Sequence, residues 1–252
     1  MEPILEVKNL TKIFSYKGQP SVTAVNNLSF QIFPGEWVAL IGESGSGKST
    51  IAKMITRLLQ PTKGSIFLNG QDITCMKGIP LKCVYQKMQM VFQTPAGSFD
   101  PRRTLGDGIG ESLRNRGMNR VQAQERVIRL LTQCGLDSSF ANYYPHEASG
   151  GQCQRAAIAR ALAINPALLI CDEITSALDV TVQAQIMELL QSVQRQTNMA
   201  YLFISHDLAL VQQFSDRILV LQQGKLIEAG TPDEIIFHPK EAYTKQFIES
   251  AL

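Results

Sequence analysis

The sequence lacks long apolar runs, a strong excess of either charge, and the features of a secretory signal. Its apolar stretches, such as 167–171 and 201–204, are strand-sized, whereas a membrane helix needs about 20 apolar residues. The N-terminal stretch MEPILEVKNLTKIF has no basic start and no small-residue cleavage site. The net charge of +2 is too small an excess to argue for nucleic acid as the main partner. We therefore expect a soluble chain that contacts a membrane only through a partner.

Paired cysteines are also missing, which argues against a disulfide framework. No two of the five cysteines form a CxxC pair, and their odd number fits reduced thiols. We predict that each is a small buried hydrophobe. The cysteines are Cys75, Cys83, Cys134, Cys153 and Cys171.

The apolar pattern predicts strands of two kinds. Over the first 35 or so residues apolar and polar positions alternate, which favours antiparallel strands with one solvated face. Trp37–Ile41, 167–171 and 200–205 are almost entirely apolar, which is typical of buried strands, and we expect the last two to be parallel. Hairpins are predicted around Asn69-Gly70 and around Gly224.

Helices are expected between these strands. One helix is predicted from about Lys48 to Leu59, and the region from about 94 to 165 is predicted to be mostly helical. Within it, 121–134 carries an apolar stripe that Gly135 is placed to cap. A second stripe spans 182–193. Strands alternating with helices predict an α/β fold with a largely parallel sheet and an inserted helical subdomain.

The stretch IGESGSGKST, residues 41–50, predicts a phosphate-binding loop. Gly42, Gly47, Lys48 and Ser49 fit the spacing G-x-x-x-x-G-K-[ST] between a predicted strand and a predicted helix. The glycines let backbone N–H groups surround anionic oxygens, and the helix adds its positive end. Lys48 would reach the β- and γ-phosphates, and Ser49 would ligate Mg²⁺.

A second acidic motif follows the apolar strand 168–171. Asp172 and Glu173 come at the carboxyl end of this predicted parallel strand, the edge where ligands bind in such sheets. Asp172 can hold Mg²⁺, and Glu173 can orient and deprotonate an attacking water. Together with the phosphate loop, this pair predicts nucleotide hydrolysis.

With Ser149-Gly150-Gly151-Gln152 upstream and Ser176-Ala177-Leu178-Asp179 downstream, the sequence resembles the ATP-binding-cassette (ABC) ATPases over nearly its whole length. The resemblance implies a P-loop NTPase with a RecA-like parallel-sheet core, an N-terminal antiparallel β subdomain and an inserted helical subdomain. The implied core is 1–93 with 166–252, and the implied helical subdomain is 94–165. Ala148 and Ile174 depart from the common leucine and proline, but neither departure removes a catalytic atom.

The resemblance also assigns roles to residues of the site. It implies that Gln93 senses Mg²⁺ and the attacking water, and that His206 contacts the γ-phosphate. Phe14 stands where the family stacks an aromatic ring on adenine, with Tyr16 a less favoured candidate and core packing the alternative for Phe14. The implied catalytic residues are Glu173, His206 and Gln93, and the implied metal ligands are Ser49, Gln93 and Asp172. The implied nucleotide-binding residues are Phe14, Gly42, Ser44, Gly45, Gly47, Lys48, Ser49, Thr50, Ser149, Gly150, Gly151, Gln152 and Asp179.

The stretch Ser149–Gln152 precedes a helix predicted at Gln154–Ala163, so its amides can form a second anion site. In the resembled family this stretch closes over ATP held by the other subunit of a head-to-tail dimer. The implied cofactors are ATP and Mg²⁺, and the dimer is either a homodimer or a heterodimer with a sibling ATPase.

The stretch QTPAGSFDPRR, residues 93–103, and the C-terminal Tyr243-Thr244-Lys245 resemble the branch that powers dipeptide, oligopeptide, nickel and metal-chelate importers. This implies two membrane permeases, an extracytoplasmic binding protein acting indirectly, and a peripheral location on the cytoplasmic face of the membrane. No cysteine follows Cys171, so we expect no iron–sulfur cluster in a tail. That favours nickel or metal-chelate cargo, or a peptide system with a short tail.

Three alternatives remain open. The chain also resembles, less closely, the cassette ATPase of the carbon–phosphorus lyase complex. Cassette ATPases of DNA repair bind nucleic acid but carry long coiled-coil or zinc insertions, which this sequence lacks. A regulatory nucleotide-binding module is disfavoured by the intact Glu173 and His206.

Overall fold

A computed structural model describes residues 2–15, 18, 20–94, 96–176 and 178–251. The strands are β1 (Leu5–Phe14), β2 (Val22–Ile32), β3 (Trp37–Ile41), β4 (Lys63–Leu68), β5 (Gln71–Asp72), β6 (Met88–Val91), β7 (Leu168–Asp172), β8 (Ala200–Ile204), β9 (Arg217–Gln222) and β10 (Lys225–Gly230). The helices are α1 (Lys48–Ile55), α2 (Gly78–Lys87), α3 (Leu105–Asn115), α4 (Arg120–Gln133), α5 (Gly150–Leu162), α6 (Val180–Thr197), α7 (Leu208–Phe214), α8 (Pro232–Phe237) and α9 (Ala242–Ala251).

The chain divides into two compact units. The first contains Met1–Met88, Ala167–Asp172 and Asn198–Leu252, and the second contains Gln89–Pro166 and Glu173–Thr197. This division places α6 with the helical middle of the chain, whereas the sequence-based subdomain boundaries place it with the core. Among the described residues no helix is both long enough and apolar enough to cross a membrane.

The antiparallel sheet of the first unit has the strand order β2-β1-β4-β5. Its register pairs Leu5 with Ile32 and with Leu68. The predicted alternation is present, because Leu5 and Val7 are buried while Lys8 is exposed. The predicted turn between β4 and β5 is also present. Asn69 and Gly70 both have positive φ, 49° and 74°, as a tight hairpin requires.

The mainly parallel sheet of the first unit contains β10-β9-β3-β8-β7 in that order. β3, β7 and β8 are buried at every position, as the continuous apolar runs predicted. β3 pairs in parallel with β8 and β9, β8 pairs in parallel with β7, and β10 is antiparallel to β9. This sheet and the antiparallel sheet together confirm the predicted mixed α/β architecture.

An aromatic cluster anchors the core of this sheet. The fully buried Trp37 stacks on Tyr201 with ring centroids 4.3 Å apart, and Phe203 meets its edge at 6.0 Å. Such large buried rings contribute much of the burial free energy and hold neighbouring strands in register. The predicted strands 37–41 and 200–205 thus meet as neighbours.

The second unit is largely helical. Thr104 caps α3 by accepting a hydrogen bond from the Asp107 amide, and Asn119 caps α4 in the same way from Gln122. Leu130 and Leu131 lie on the buried face of α4, and Gly135 follows its end with φ 70°. The prediction of a mostly helical region and the prediction of an apolar face on α4 are therefore confirmed.

The sequence misplaced the end of one helix in the first unit and did not reveal another. α1 ends at Ile55 rather than at Leu59, because Arg57 adopts a left-handed conformation with φ 61° that a helix cannot continue through. α2 was not predicted. Of its ten residues only Val84 is buried, so it has no apolar stripe from which a helical period could be detected.

The cysteine prediction holds for three residues and fails for two. Cys134, Cys153 and Cys171 are buried, and burial raises the pKa of the Cys134 thiol to about 12. Cys75 and Cys83 are exposed, which corrects the prediction for them. Cys75 lies in the turn after β5 and Cys83 on the solvent side of α2, two regions that contribute little to the core.

Candidate functional site

The phosphate-loop candidate, residues 42–49, connects the buried strand β3 to α1 in the first unit. Three of its glycines have positive φ: 145° at Gly42, 79° at Gly45 and 105° at Gly47. A Cβ atom on Gly42 would lie 2.2 Å from the Leu221 carbonyl oxygen, and one on Gly47 would lie 2.5 Å from the Ala24 oxygen. Gly42 and Gly47 therefore must be glycine for two reasons: their backbone φ is positive, and a carbonyl oxygen lies where a Cβ atom would be.

Lys48 is held inside this loop. Its Nζ donates to the Gly42 oxygen at 2.7 Å, to the Glu43 oxygen at 2.8 Å and to Ser46 Oγ at 3.4 Å. The residue is only 8% exposed. A buried ammonium group in a curl of backbone places a positive charge where an anionic oxygen can be bound. Ser44, Gly45 and Thr50 lie in or beside this curl, the first two being exposed and Thr50 half-buried.

Ser49 and Asp172, both of which the sequence predicts as Mg²⁺ ligands, contact each other in the first unit. Ser49 Oγ donates to Asp172 Oδ1 at 3.2 Å, across 123 residues of sequence. Asp172 is 4% exposed and ends β7. A hydroxyl and a carboxylate oxygen at this spacing are the hard ligands that Mg²⁺ prefers, so the residues present fit that ion.

The sheet register explains why these groups converge. Leu40 of β3 pairs with Ile204 of β8, and Ile204 pairs with Asp172 of β7. The carboxyl ends of three parallel strands therefore lie at one edge, where α/β sheets bind ligands. His206 follows β8 by two residues at this edge and is exposed.

The loop has supports that sequence reasoning missed. The Gly224 amide, in the turn between β9 and β10, donates to the Ser46 oxygen at 2.9 Å. From α9, the Tyr243 hydroxyl accepts from the Glu43 amide and donates to the Leu221 oxygen, each at 3.4 Å. Burial raises the pKa of Tyr243 above its ordinary value, so the hydroxyl keeps its proton at neutral pH. The residue pattern of a single sequence does not indicate which residues 200 positions apart are in contact.

We expect Gly47→Ala to destabilise the fold by about 1–3 kcal/mol and to weaken nucleotide binding, because a Cβ is strained at φ 105° and collides with the Ala24 oxygen. Urea unfolding and ATP titration measure the two effects. Gly70→Ala is the matched control. Gly70 also has positive φ, 74°, but no described atom lies within 4 Å of its Cβ position. Equal losses in both variants would show that the close approach at Gly47 is unimportant.

In the second unit, Glu173 and Gln93 are brought together. Gln93 Nε2 donates to Glu173 Oε2 across 80 residues. Glu173 is half-buried and has a left-handed backbone with φ 51°, and its carbonyl accepts from Ser176 Oγ at 2.9 Å. A non-glycine residue held in this conformation costs free energy, and such residues cluster at functional sites. The structure thus pairs two residues that sequence reasoning assigned to catalysis.

The Ser149–Gln152 stretch is the first turn of α5 rather than a loop before a helix that starts at Gln154. Ser149 Oγ accepts from the Gln152 amide at 3.3 Å, and Gln152 Oε1 accepts from the Ser149 amide at 2.8 Å. This reciprocal capping box fixes the helix start. Gly150 and Gly151 are the first helical residues, and Gly150 is exposed. The helix end therefore presents its positive pole to solvent, as an anion site needs.

The last candidates have local roles in the structure. Asp179 Oδ1 accepts from the Val182 amide at 2.9 Å, which caps α6. Phe14 ends β1, is half-buried, and has Lys12 Nζ 5.1 Å from its ring centroid. Tyr16, the other candidate for adenine stacking, and Ala177 of the Ser176–Asp179 stretch lie outside the described residues.

Comparison with solved structures places this fold among the ATP-binding cassettes. The dimeric post-hydrolysis structure of the cassette MJ0796 bound to ADP and phosphate matches with a TM-score of 0.85 and 31% identity, covering 90% of this chain and 98% of that one. The cassette cbiO1 of Clostridium perfringens, part of the transporter complex cbiONQ, matches with a TM-score of 0.79 and 26% identity, covering 93% and 91%. The predicted fold class is confirmed.

Curated relatives match over almost the whole chain. The glutathione import ATP-binding protein GsiA of Pectobacterium atrosepticum is 42% identical over 99% of this chain, and the chain spans 41% of that relative's length. The dipeptide transport ATP-binding protein DppF of Lactococcus lactis subsp. cremoris is 41% identical over 98% of this chain and 80% of its own length. The family model described as ABC transporter matches residues 25–176. The chain belongs to the ABC transporter family.

Proposed function

We propose that this chain is the ATP-hydrolysing subunit of a membrane importer for peptides. The observation that carries the proposal is the phosphate loop around the buried Lys48, with Ser49 at the helix start bonded to Asp172 at 3.2 Å. The similarity to ATP-binding proteins named for glutathione import and dipeptide transport supports the cargo class. Nickel or a metal chelate, which the sequence also suggested, is the alternative cargo within this proposal.

ATP is proposed to bind with its phosphates in residues 42–49. Lys48 would exchange its bonds to the Gly42 and Glu43 oxygens for bonds to phosphate oxygens. Phe14 would stack on adenine. Ser49, Asp172 and Gln93 are the proposed Mg²⁺ ligands, and the ion would neutralise charge that develops on the phosphates.

Glu173 is proposed as the general base for the attacking water. Its bond from Gln93 fixes the carboxylate before the reaction, which lowers the cost of orienting it at the transition state. His206 is proposed to contact the γ-phosphate and stabilise its charge. Products are ADP and phosphate, with the water proton leaving through Glu173.

The catalytic cycle is proposed to pass through a head-to-tail dimer. The exposed start of α5, with Ser149–Gln152, would bind the ATP held by the other subunit, and Asp179 would lie at the same interface. Two solved structures of the cassette MJ0796 are dimeric, which supports the formation of a dimer. ATP would favour closure because it contacts both subunits only in the closed state. The dimer is either homomeric or formed with a sibling ATPase.

We further propose that the chain is peripheral to the cytoplasmic face of the membrane. Two permeases would bind it, and an extracytoplasmic binding protein would act through them. Residues 94–103, which follow Gln93, are the proposed permease-facing segment. Residues 1–93 with 166–252 are the proposed nucleotide-binding core and 94–165 the proposed helical subdomain. Nucleic acid is not a proposed partner.

The proposal is tested by restoring uptake in a strain that lacks this chain. The wild-type gene should restore uptake of labelled glutathione or of a labelled dipeptide, whereas Glu173→Gln should not. If the gene restored uptake of a nickel chelate alone, the cargo would be the metal chelate rather than a peptide. Normal uptake of all three in the deletion strain would contradict the importer assignment.

A further inference from the structure

Arg160, near the end of α5, holds the loop that contains Ser98 and Phe99. Its Nη1 donates to the Ser98 oxygen at 2.5 Å and its Nη2 to Ser98 Oγ at 2.9 Å. Its guanidinium carbon also lies 4.3 Å from the centroid of the Phe99 ring. One side chain thus makes two charge-assisted hydrogen bonds and a cation–π contact to two consecutive residues.

Phe99 is fixed from a second direction as well. The residue is only 6% exposed. A Cβ atom on Gly108 of α3 would lie only 2.8 Å from Phe99 Cδ1, so the backbone of α3 approaches the ring more closely than a side chain at this position would permit. Phe99, Gly108, Ser98 and Arg160, hereafter the Arg160 clamp, therefore bind the loop to both α5 and α3. All four lie in the second unit.

The same helix begins with the Ser149–Gln152 turn. Its central residues Ala156, Ala157 and Ala159 are buried, so the helix is packed along its length. Ten residues separate Gly150 from Arg160, which at 1.5 Å per residue is about 15 Å. Rigid, packed secondary-structure elements can carry a displacement from one end to the other, and α5 is such an element.

We propose that Arg160 is a positioning residue that transmits the ATP-dependent movement of the Ser149–Gln152 turn to the Ser98–Phe99 loop. The inference rests on the proposed function, in which the turn binds ATP across the dimer and the loop belongs to the permease-facing segment. It adds a named connection between the two. The connection runs from the capping box, through α5, to the Arg160 clamp.

The guanidinium is required because of its shape. A lysine at 160 keeps a positive charge but donates from one nitrogen and cannot lie flat against the Phe99 ring while bonding both Ser98 oxygens. Arg160→Lys therefore keeps the positive charge at this position and removes the planar guanidinium that the contacts with Ser98 and Phe99 require. Arg155 offers a matched control on the same helix, because its Nη1 donates to the Gly135 oxygen at 2.8 Å, away from the loop.

The test is hydrogen–deuterium exchange of the full chain in the Glu173→Gln background, with and without Mg-ATP. Segments 149–155 and 97–104 are followed separately. In the parent, ATP should slow exchange in both segments. With Arg160→Lys added, the 149–155 segment should still respond, while the ATP response of the 97–104 segment should fall by about tenfold. Adding Arg155→Lys instead should leave both responses intact.

Each other outcome has a definite meaning. An unchanged loop response in Arg160→Lys overturns the clamp but leaves the proposed function standing. Loss of both responses in Arg160→Lys shows that Arg160 only stabilises α5, and this also overturns the inference. The absence of any ATP response in the parent removes the proposed function and the inference with it. If Arg160→Lys unfolds, Ser98→Ala removes the acceptor of Nη2 alone and should reduce the loop response in the same selective way.

Discussion

Glu173→Gln should lower the turnover number for ATP hydrolysis by about 10²–10⁴-fold while leaving ATP binding intact. The amide keeps the size of the carboxylate and can still bond to Gln93, but it cannot accept a proton from water. Phosphate release under saturating Mg-ATP measures the rate. Light scattering should show that the variant accumulates as an ATP-bound dimer, because hydrolysis no longer reopens it.

Glu188→Gln is the control for this substitution. Glu188 is an exposed acid on α6 in the same unit, so the same change of charge should leave the rate unaltered. Normal hydrolysis by the Glu173 variant would contradict its assignment as the base. A dimer that forms equally well without nucleotide would contradict closure driven by ATP.

Lys48→Ala should weaken ATP binding by about 10- to 100-fold, the effect of losing one or two charge-assisted hydrogen bonds to phosphate. The buried Nζ also bonds the Gly42 and Glu43 oxygens, so its removal takes one donor from each carbonyl, leaves the Ser46 amide on the Glu43 oxygen, and loosens the loop. Calorimetric titration with Mg-ATP measures the affinity, and thermal unfolding reports any loss of stability.

Lys53→Ala provides the matched comparison, because Lys53 is an exposed lysine on the same helix, α1. It should bind ATP as the parent does. Equal affinity in the Lys48 and Lys53 variants would show that the loop does not hold the phosphates through Lys48.

The elements that could be predicted from the sequence are those that a local residue pattern indicates. The all-apolar run Trp37–Ile41 favoured a buried strand, and Asn69-Gly70 favoured a tight turn. The phosphate loop was identifiable because its glycines are needed for backbone reasons, as the positive φ angles of Gly42 and Gly47 show. The approach of Ser49 to Asp172 followed from the rule that parallel strands place their carboxyl ends at one edge.

Contacts between distant segments of the chain could not be predicted from the sequence. Nothing near Tyr243 indicates that its hydroxyl lies against the Glu43 amide, and nothing near Arg160 indicates that it reaches Ser98. α2 was missed because a helix that buries only Val84 has no apolar period. The start of α5 was placed too late because Gly150 and Gly151 are poor helix formers, and only the capping box of Ser149 and Gln152 offsets that cost.

The measurement that tests the importer assignment most directly is recovery of the tagged full chain from its own cells in mild detergent, with the bound proteins identified by mass spectrometry. We predict two multi-span permeases in stoichiometric amounts, with or without a sibling ATPase. Recovery in a soluble enzyme assembly that contains no permease, such as a carbon–phosphorus lyase complex, would contradict the importer and leave only the ATPase chemistry.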